Sequence, residues 1–466
     1  MRILLIYFLI IISSFFASSC DFLDKSSTLP ETTDELIVIV VDSHDSFYQN
    51  SRGEYAGLDF DLVSEFAREL GKNIKFIVVS DVEAALLSLE NNQGHLAVGI
   101  NIASKTQRHI SFGPVYKRVQ PQIAYNTNFS KPEKIRDIAR KNIETVSGTV
   151  HADRLNEAKL KIPGLSWTEM NTSAGNLLAR LSEGKNDYVI ADSIQISIQK
   201  NFYTNLGIAM NFGQASSKAW AFSSYFGLEL KKKAQKYFKR IREGGTLNRL
   251  LDKYYGHIER LGQDDIKKFL IETRQLLPDL RSYFYEAEEI TNIDWRLIAA
   301  LAYQESHWDP MATSSTNVRG IMMLTEDTAE RMEVTDRLDA RQSILAGARY
   351  LLILKDTLPS RIVEPDRTWI ALAAYNQGYA HIEDARTLAQ RMKLSPDFWV
   401  DLKRSLPLLS YREYFEKLKY GYARGGEAVI LTESVRAYYD ILMKYEAPYK
   451  QNTSASGGIE PRAIIR

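Results

Sequence analysis

The sequence predicts two unlike folded units in series, a two-lobed α/β unit followed by an all-α unit. Three observations carry this expectation. Short apolar runs of strand length alternate with helical periodicity from Leu36 to about His257. Such runs cease after about Leu280, and helical spacing then continues to about Tyr445. At 466 residues the chain also exceeds what one ordinary hydrophobic core serves. Its composition, 45% hydrophobic and 25% charged, is that of a globular protein. The formal net charge of +1 gives no global field that would favour nucleic acid, so no nucleic-acid partner is expected.

The N-terminus is read first. Arg2 precedes an apolar run from Ile3 to Ile12, continued by Phe15 and Phe16 and ended by Ala17-Ser18-Ser19-Cys20. The run is shorter than the roughly 20 residues that span a bilayer, so residues 1–20 are expected to be a signal peptide. Its end resembles a bacterial lipobox, with Ala17 and Ser19 in place of the usual Leu and Gly or Ala. Cys20, the one cysteine of the chain, is therefore the expected lipidation site and gives a membrane partner through an N-terminal anchor. With no other cysteine, the mature body has no disulfide framework, thiolate metal site or cysteine nucleophile. Residues 21–35, rich in Ser, Thr, Pro and acids, read as a tether.

The first folded unit is expected over residues 36–258. Leu36 to Val41 is a continuous apolar run suited to a strand buried on both faces. Gly57-Leu58-Asp59-Phe60-Asp61 opens a helix through Leu62, Val63, Phe66, Ala67 and Leu70, which Gly71 stops. A second strand, Ile74 to Val79, completes a βαβ unit and implies a parallel sheet. The pattern repeats from Thr145-Val146 through a turn at Gly148, a helix through Leu177, Leu178 and Leu181, and a strand at Tyr188 to Ala191. Residues 259–279 read as a charged linker helix, 280–450 as the helical unit and 451–466 as a disordered tail.

Several segments of the first unit together resemble the bacterial extracellular solute-binding proteins of family 3. They are Gly57 to Leu62, Ala67 with Leu70-Gly71, Gly94 through Gly99-Ile100, Phe112-Gly113-Pro114 with Tyr116, and Asp187 to Asp192. The resemblance implies a cleft between lobes that takes polar amino acids, with Asp192 matching the family's ammonium-binding carboxylate. The family's carboxylate-clamping Arg falls on Thr106, with Arg108 two residues later. Arg108 and Asp192 are thus the candidate regulatory ligand-binding residues, and Asp192 reads equally as a strand-end cap. A muropeptide or stem peptide bearing a free amine is the expected ligand, since it would keep the acid and relax the clamp.

The chemistry is expected in the helical unit. Thr291-x-x-Asp294 reads as a capping-box-like start for a helix running from Trp295 to Glu305. Ile298, Leu301 and Ala302 precede Glu305 by seven, four and three residues, which puts its carboxyl on the apolar face. Pro310 requires the helix to stop by about Asp309, so Glu305 lies near the partially negative end. Burial and the helix dipole both favour the protonated acid, as a proton donor to a glycosidic oxygen requires. The plain alternative is a glutamate paired with an arginine at a helix end.

Glu305-Ser306, Gly320 to Thr325, Ala373 to Gly378, and Tyr422 with Gly425-Gly426-Glu427 occur in that order. Together they resemble the soluble-lytic-transglycosylase, goose-lysozyme-like domain. The resemblance implies that Glu305 is the catalytic acid and base and that Ser314, Met322, Tyr375 and Asn376 line or orient a peptidoglycan sugar site. Met323 stands where many members have Gln. That replacement, with the solute-binding-like unit upstream, matches a group of membrane-bound murein transglycosylases. The implied reaction cleaves the MurNAc-β-1,4-GlcNAc bond and leaves a 1,6-anhydro ring, with attachment to the outer membrane. Asp21, right after Cys20, is an inner-membrane retention signal in some bacteria.

The seven histidines form no His-x3-His or His-Glu pair, so no metal and no cofactor is expected. His307 is read as a rim or packing residue. A lysozyme-type hydrolase on the same fold, or a non-catalytic envelope sensor, are the alternatives.

Overall fold

The computed structural model describes residues 34–43, 45–49, 53–102, 110–223 and 227–449. The expected signal peptide, Cys20, Asp21, Thr106, Arg108 and the 451–466 tail lie outside the described residues.

The first lobe opens with β1 (Glu35–Val41), the short pair β2 (Tyr48–Gln49) and β3 (Tyr55–Ala56), and α1 (Leu58–Leu70). It continues with β4 (Asn73–Val79), α2 (Val82–Glu90), β5 (Leu96–Asn101) and β6 (Ile110–Val119). The second lobe holds β7 (Pro121–Asn126), β8 (Ile143–Val146), α3 (Val150–Lys159), β9 (Thr168–Met170), α4 (Ala174–Ser182), β10 (Tyr188–Asp192), α5 (Ser193–Lys200) and β11 (Leu206–Asn211). The chain then returns to the first lobe as β12 (Ser216–Ser223), α6 (Leu228–Glu243) and α7 (Thr246–Tyr255). The two five-stranded sheets have the orders β4-β1-β5-β12-β6 and β11-β7-β10-β8-β9.

The expected βαβ unit is present. β1 pairs in parallel with β4 from Glu35↔Asn73 to Val41↔Val79. Leu58, Leu62, Val63 and Phe66 of α1 are buried in the first lobe's core. Gly71 ends the helix in the left-handed conformation, φ 66°, which costs glycine little. Pro114, which has no N–H to give a ladder, sits in the edge strand β6. In the second lobe β8 and β10 pair in parallel, but α3 and β9 intervene where the sequence suggested a direct passage to α4. Helix α3 buries only His151, Ala152 and Leu155, too thin an apolar stripe to announce itself.

The helical unit comprises α8 (Gln263–Gln275), α9 (Leu277–Thr291), α10 (Trp295–Ser306), α11 (Glu326–Arg331), α12 (Ala340–Thr357), α13 (Asp366–Gln377), α14 (Tyr379–Arg391), α15 (Trp399–Ser405), α16 (Arg412–Phe415) and α17 (Gly425–Tyr445). Helix α8, the segment read as a linker, places Ile266 and Phe269 in the core of this domain. Helix α10 is its axis, with every residue from Trp295 to Tyr303 buried. Its start differs from the expected capping box. Thr291 is the last residue of α9 and donates its hydroxyl to Ala287 O at 2.7 Å, while Asp294 caps α10 by accepting from Arg296 N at 2.9 Å and Glu288 accepts from Trp295 N at 2.8 Å. The sharp α9–α10 turn, with Asn292 at φ 55°, separates the two residues into different helices.

The two units are joined by charge as well as by chain. Arg436 of α17 is 1% exposed and donates to Asp252 O at 2.7 Å and to its carboxylate at 3.3 Å. Lys403 pairs with the same carboxylate and lies 3.6 Å from Glu433. His257 Nε2 meets Asp440 at 2.6 Å.

Candidate active site

Glu305 occupies the last turn of α10. His307, at φ 54°, and Trp308, at φ 61°, then reverse the chain in two left-handed residues. The buried Trp308 indole donates to Ala299 O at 2.8 Å and fastens the turn back onto the helix. His307 stays exposed, its ring 5.0 Å from that of Tyr303, as a rim residue would.

The Glu305 carboxyl is partly exposed but crowded by protein, and burial alone pushes its pKa up to about 8. A charged neighbour would add to or oppose that effect, and among the described residues none does. Among the described residues Glu305 has no ion-pair partner, so the plain reading of a helix-end glutamate bound to arginine is not what the fold provides. At neutral pH the acid is mostly protonated.

The opposite wall comes from the loop after α10. Ser306 Oγ donates to Ile321 O at 2.8 Å, which ties α10 to residues 320–324. Gly320, at φ 82°, is required there, because a Cβ would fall 1.8 Å from Arg337 O. Tyr375, in the last turn of α13, donates its hydroxyl to Met322 O at 2.9 Å. Burial, and then the negative charge of Glu305, hold the Tyr375 phenol well above its usual range. Glu305, Tyr375 and the Met322 main chain therefore converge.

The other expected contacts are placed differently. The Met322 side chain is fully buried and packs against Gly347 of α12, where a Cβ would lie 2.6 Å from its terminal methyl. Expected as a lining side chain, it can contribute only its carbonyl. Ser314 Oγ accepts from Thr316 N at 3.3 Å and Val318 N at 3.1 Å, which holds its own turn. Asn376 is exposed at the end of α13 and accepts from the Gln377 amide at 2.8 Å. Two residues without an expected role join the site: Ser343, whose hydroxyl accepts from Met322 N at 3.3 Å, and Tyr350, 5.4 Å from the Tyr375 ring. Only the spacing of Ser343, Gly347 and Tyr350 along one face of α12 hinted at them.

In the N-terminal unit Asp192 is 2% exposed, at the N-cap of α5, and lies 3.2 Å from the Lys218 ammonium. Among the described residues no group of three or more His, Cys, Asp or Glu is placed to hold a metal. No helix among them is long and apolar enough to cross a membrane.

Residues 36–257 match the bacterial extracellular solute-binding proteins, family 3, and residues 282–397 match the transglycosylase SLT domain. Three relatives, each named membrane-bound lytic murein transglycosylase F, extend the likeness to almost the whole chain. The protein from Nitrosospira multiformis is 59% identical, over 93% of this chain and 90% of its own. That from Methylobacillus flagellatus is 47% identical, over 96% and 95%. That from Thiobacillus denitrificans is 43% identical, over 90% of each.

Proposed function

Because this chain belongs to the membrane-bound lytic murein transglycosylase F family, a group of peptidoglycan lyases, we propose that Glu305 is its single catalytic acid and base. The observation that carries the reading is a carboxyl crowded by protein and raised to about 8 by burial alone, with no ion-pair partner among the described residues. Ordinary glycosidases divide acid and base between two carboxylates. Here Glu305 gives its proton to the oxygen of the MurNAc-β-1,4-GlcNAc bond as that bond breaks. The resulting carboxylate takes the proton of the muramic acid's 6-hydroxyl as its oxygen closes on C1. An internal nucleophile acts at high effective molarity, so neither a second carboxylate nor a bound water is needed. Tyr375 fixes the Met322 carbonyl beside the acid, and Ser306 fixes the loop that carries it. Ser314 and Asn376 contribute at the exposed edge.

Digestion of sacculi by the wild type and Glu305→Gln tests this. The expected products end in 1,6-anhydro-MurNAc, one water lighter than the reducing ends a hydrolase leaves, and the variant yields neither. Reducing ends would overturn the lyase mechanism; undiminished cleavage by the variant would remove Glu305 from it.

The chain acts in the cell envelope, on the periplasmic side of the outer membrane, anchored through lipid on Cys20. Asp21 makes the inner membrane the alternative, and fractionation of cells separates the two. The N-terminal unit regulates the lyase by binding a muropeptide or stem peptide, with Asp192 as its amine site and Arg108 as a candidate for the carboxylate. Helix α7 supports this reading: its Tyr255 hydroxyl donates to Asp45 O at 2.6 Å in the cleft, while its Asp252 meets Arg436 and Lys403 of the lyase domain. Unchanged cleavage rates on deletion of residues 36–257 would count against it.

A further inference from the structure

Two segments connect the lobes of the N-terminal unit, the turn at Gln120 between β6 and β7 and the stretch from β11 to β12. Between the lobes lies a set of buried charges. Lys218, on β12 of the first lobe, is 8% exposed and reaches across to Asp192 at the end of β10 in the second, 3.2 Å away. His151 Nε2 lies 3.5 Å from the other oxygen of Asp192. On the first-lobe side Lys117 lies 3.7 Å from Asp45, and Asp45 also accepts from the amide of Gln195, a second-lobe residue, at 3.2 Å. The lobes meet at the mouth as well, since a Cβ on Gly148 would fall 2.5 Å from Glu83 N. The space left beside these groups is about 50 Å³, enough for a few waters. Small-molecule sites ordinarily offer ~300 Å³ or more.

A lysine buried in a strand is costly unless its charge is met. Asp45 and Asp59 of its own lobe share in this, but the carboxylate at ion-pair distance belongs to the opposite lobe. Separating the lobes would strip Lys218 of Asp192 and Asp45 of Gln195 together. We propose that Lys218 is a built-in amine ligand of the N-terminal cleft, closing the two lobes through its ammonium on Asp192. A free primary amine, as on a peptide, then enters only by exchange with this lysine. The proposal goes beyond the regulatory reading and does not rest on it, since its readout is lobe separation and not glycan cleavage.

The test uses the chain with Cys20→Ser and spin labels at Leu87→Cys in α2 and Leu160→Cys beside α3, both exposed. Dipolar spectroscopy on this background should give one short inter-lobe distance, unmoved by n-propylammonium chloride. Lys218→Ala should shift the main distance to longer values. Propylammonium, which replaces the lost amine, should restore the short distance, while tetramethylammonium at equal ionic strength should not. Lys218→Arg should retain closure. Asp192→Asn, made in parallel in case Lys218→Ala does not fold, should open the lobes and stay open with propylammonium. An unchanged distance in Lys218→Ala, an opened distance indifferent to propylammonium, or closure of Asp192→Asn by the amine would each overturn the proposal.

Discussion

The Tyr375 hydroxyl donates to the main-chain carbonyl of Met322 at 2.9 Å, joining the C-terminal turn of α13 to the loop that faces Glu305. Because the Met322 side chain is committed to the core against Gly347, this bond sets where the loop's polar atoms stand. Tyr375→Phe leaves a buried carbonyl without its donor, which costs about 1–3 kcal/mol of stability. We expect kcat on sacculi to fall about tenfold, equivalent to ~1.4 kcal/mol of barrier, with KM little changed. A lowered melting temperature with unchanged kcat would reduce Tyr375 to a packing residue.

Glu305 should impose a pH profile of defined sign. In the proposed mechanism the protonated acid begins the reaction, so kcat/KM should be level at mildly acidic pH and fall as pH rises through about 8. A profile that instead rises through neutrality would mean that the free enzyme needs the carboxylate.

The same group links stability to pH. Its pKa is near 4.3 in an unfolded chain and about 8 in the fold, so between these values the native state holds more protons. The associated stability is fully present below about 4.3 and is lost as pH rises through about 8. Glu305→Gln removes the titration. The variant should gain on the order of 1–3 kcal/mol relative to the wild type between pH 4 and pH 8, measured by urea unfolding at each pH. Parallel curves for the two proteins would show that the acid is not held protonated by burial.

What the sequence disclosed follows from how far apart the interacting residues lie. The strands β1 and β4 and helix α10 were legible because each is written in a continuous stretch, and Pro310 marks where α10 must end. Glu305 shares that clarity, since its neighbours three, four and seven residues back define its face. Met322 looked like a lining residue because the motif holds it beside the site, but Gly347 on α12 opens the hole that swallows its side chain. Lys218 reads as an ordinary polar residue in Ser216–Ser223, and only the closing of two lobes brings Asp192 to it. The Asp252–Arg436 contact spans 184 residues and has no local signal at all.

Gly320 is a position where one methyl group decides the fold of the site. Its φ of 82° disfavours any side chain, and the Arg337 carbonyl fills the place of a Cβ. Gly320→Ala should cost on the order of 3–5 kcal/mol and displace the loop that Ser306 and Tyr375 hold. Thermal melts should show the loss in the lyase domain, and sacculus cleavage should drop with it. A variant that melts like the wild type would mean that the loop bends away without strain.

The junction between the domains gives the last prediction. Arg436 is buried, meets Asp252 through both its main chain and its side chain, and donates to Glu433 at 2.8 Å. Glu433 in turn accepts from the Trp399 indole at 2.6 Å, and Trp399 N donates to Asp366 at 2.8 Å, at the first residue of α13. Helix α13 ends at the turn that carries Tyr375, so one rigid rod runs from the junction to the site. Arg436→Met leaves two acids facing Lys403 alone, and loss of one partner from a buried ion pair costs about 3–5 kcal/mol. Calorimetry of the full chain should then resolve two transitions where the wild type gives a more coupled one. The Tyr375-dependent part of kcat should fall while Glu305 keeps its pH profile, because the rod is disturbed and the acid is not. A single unshifted transition would show that the junction's charges hold nothing that packing does not already hold.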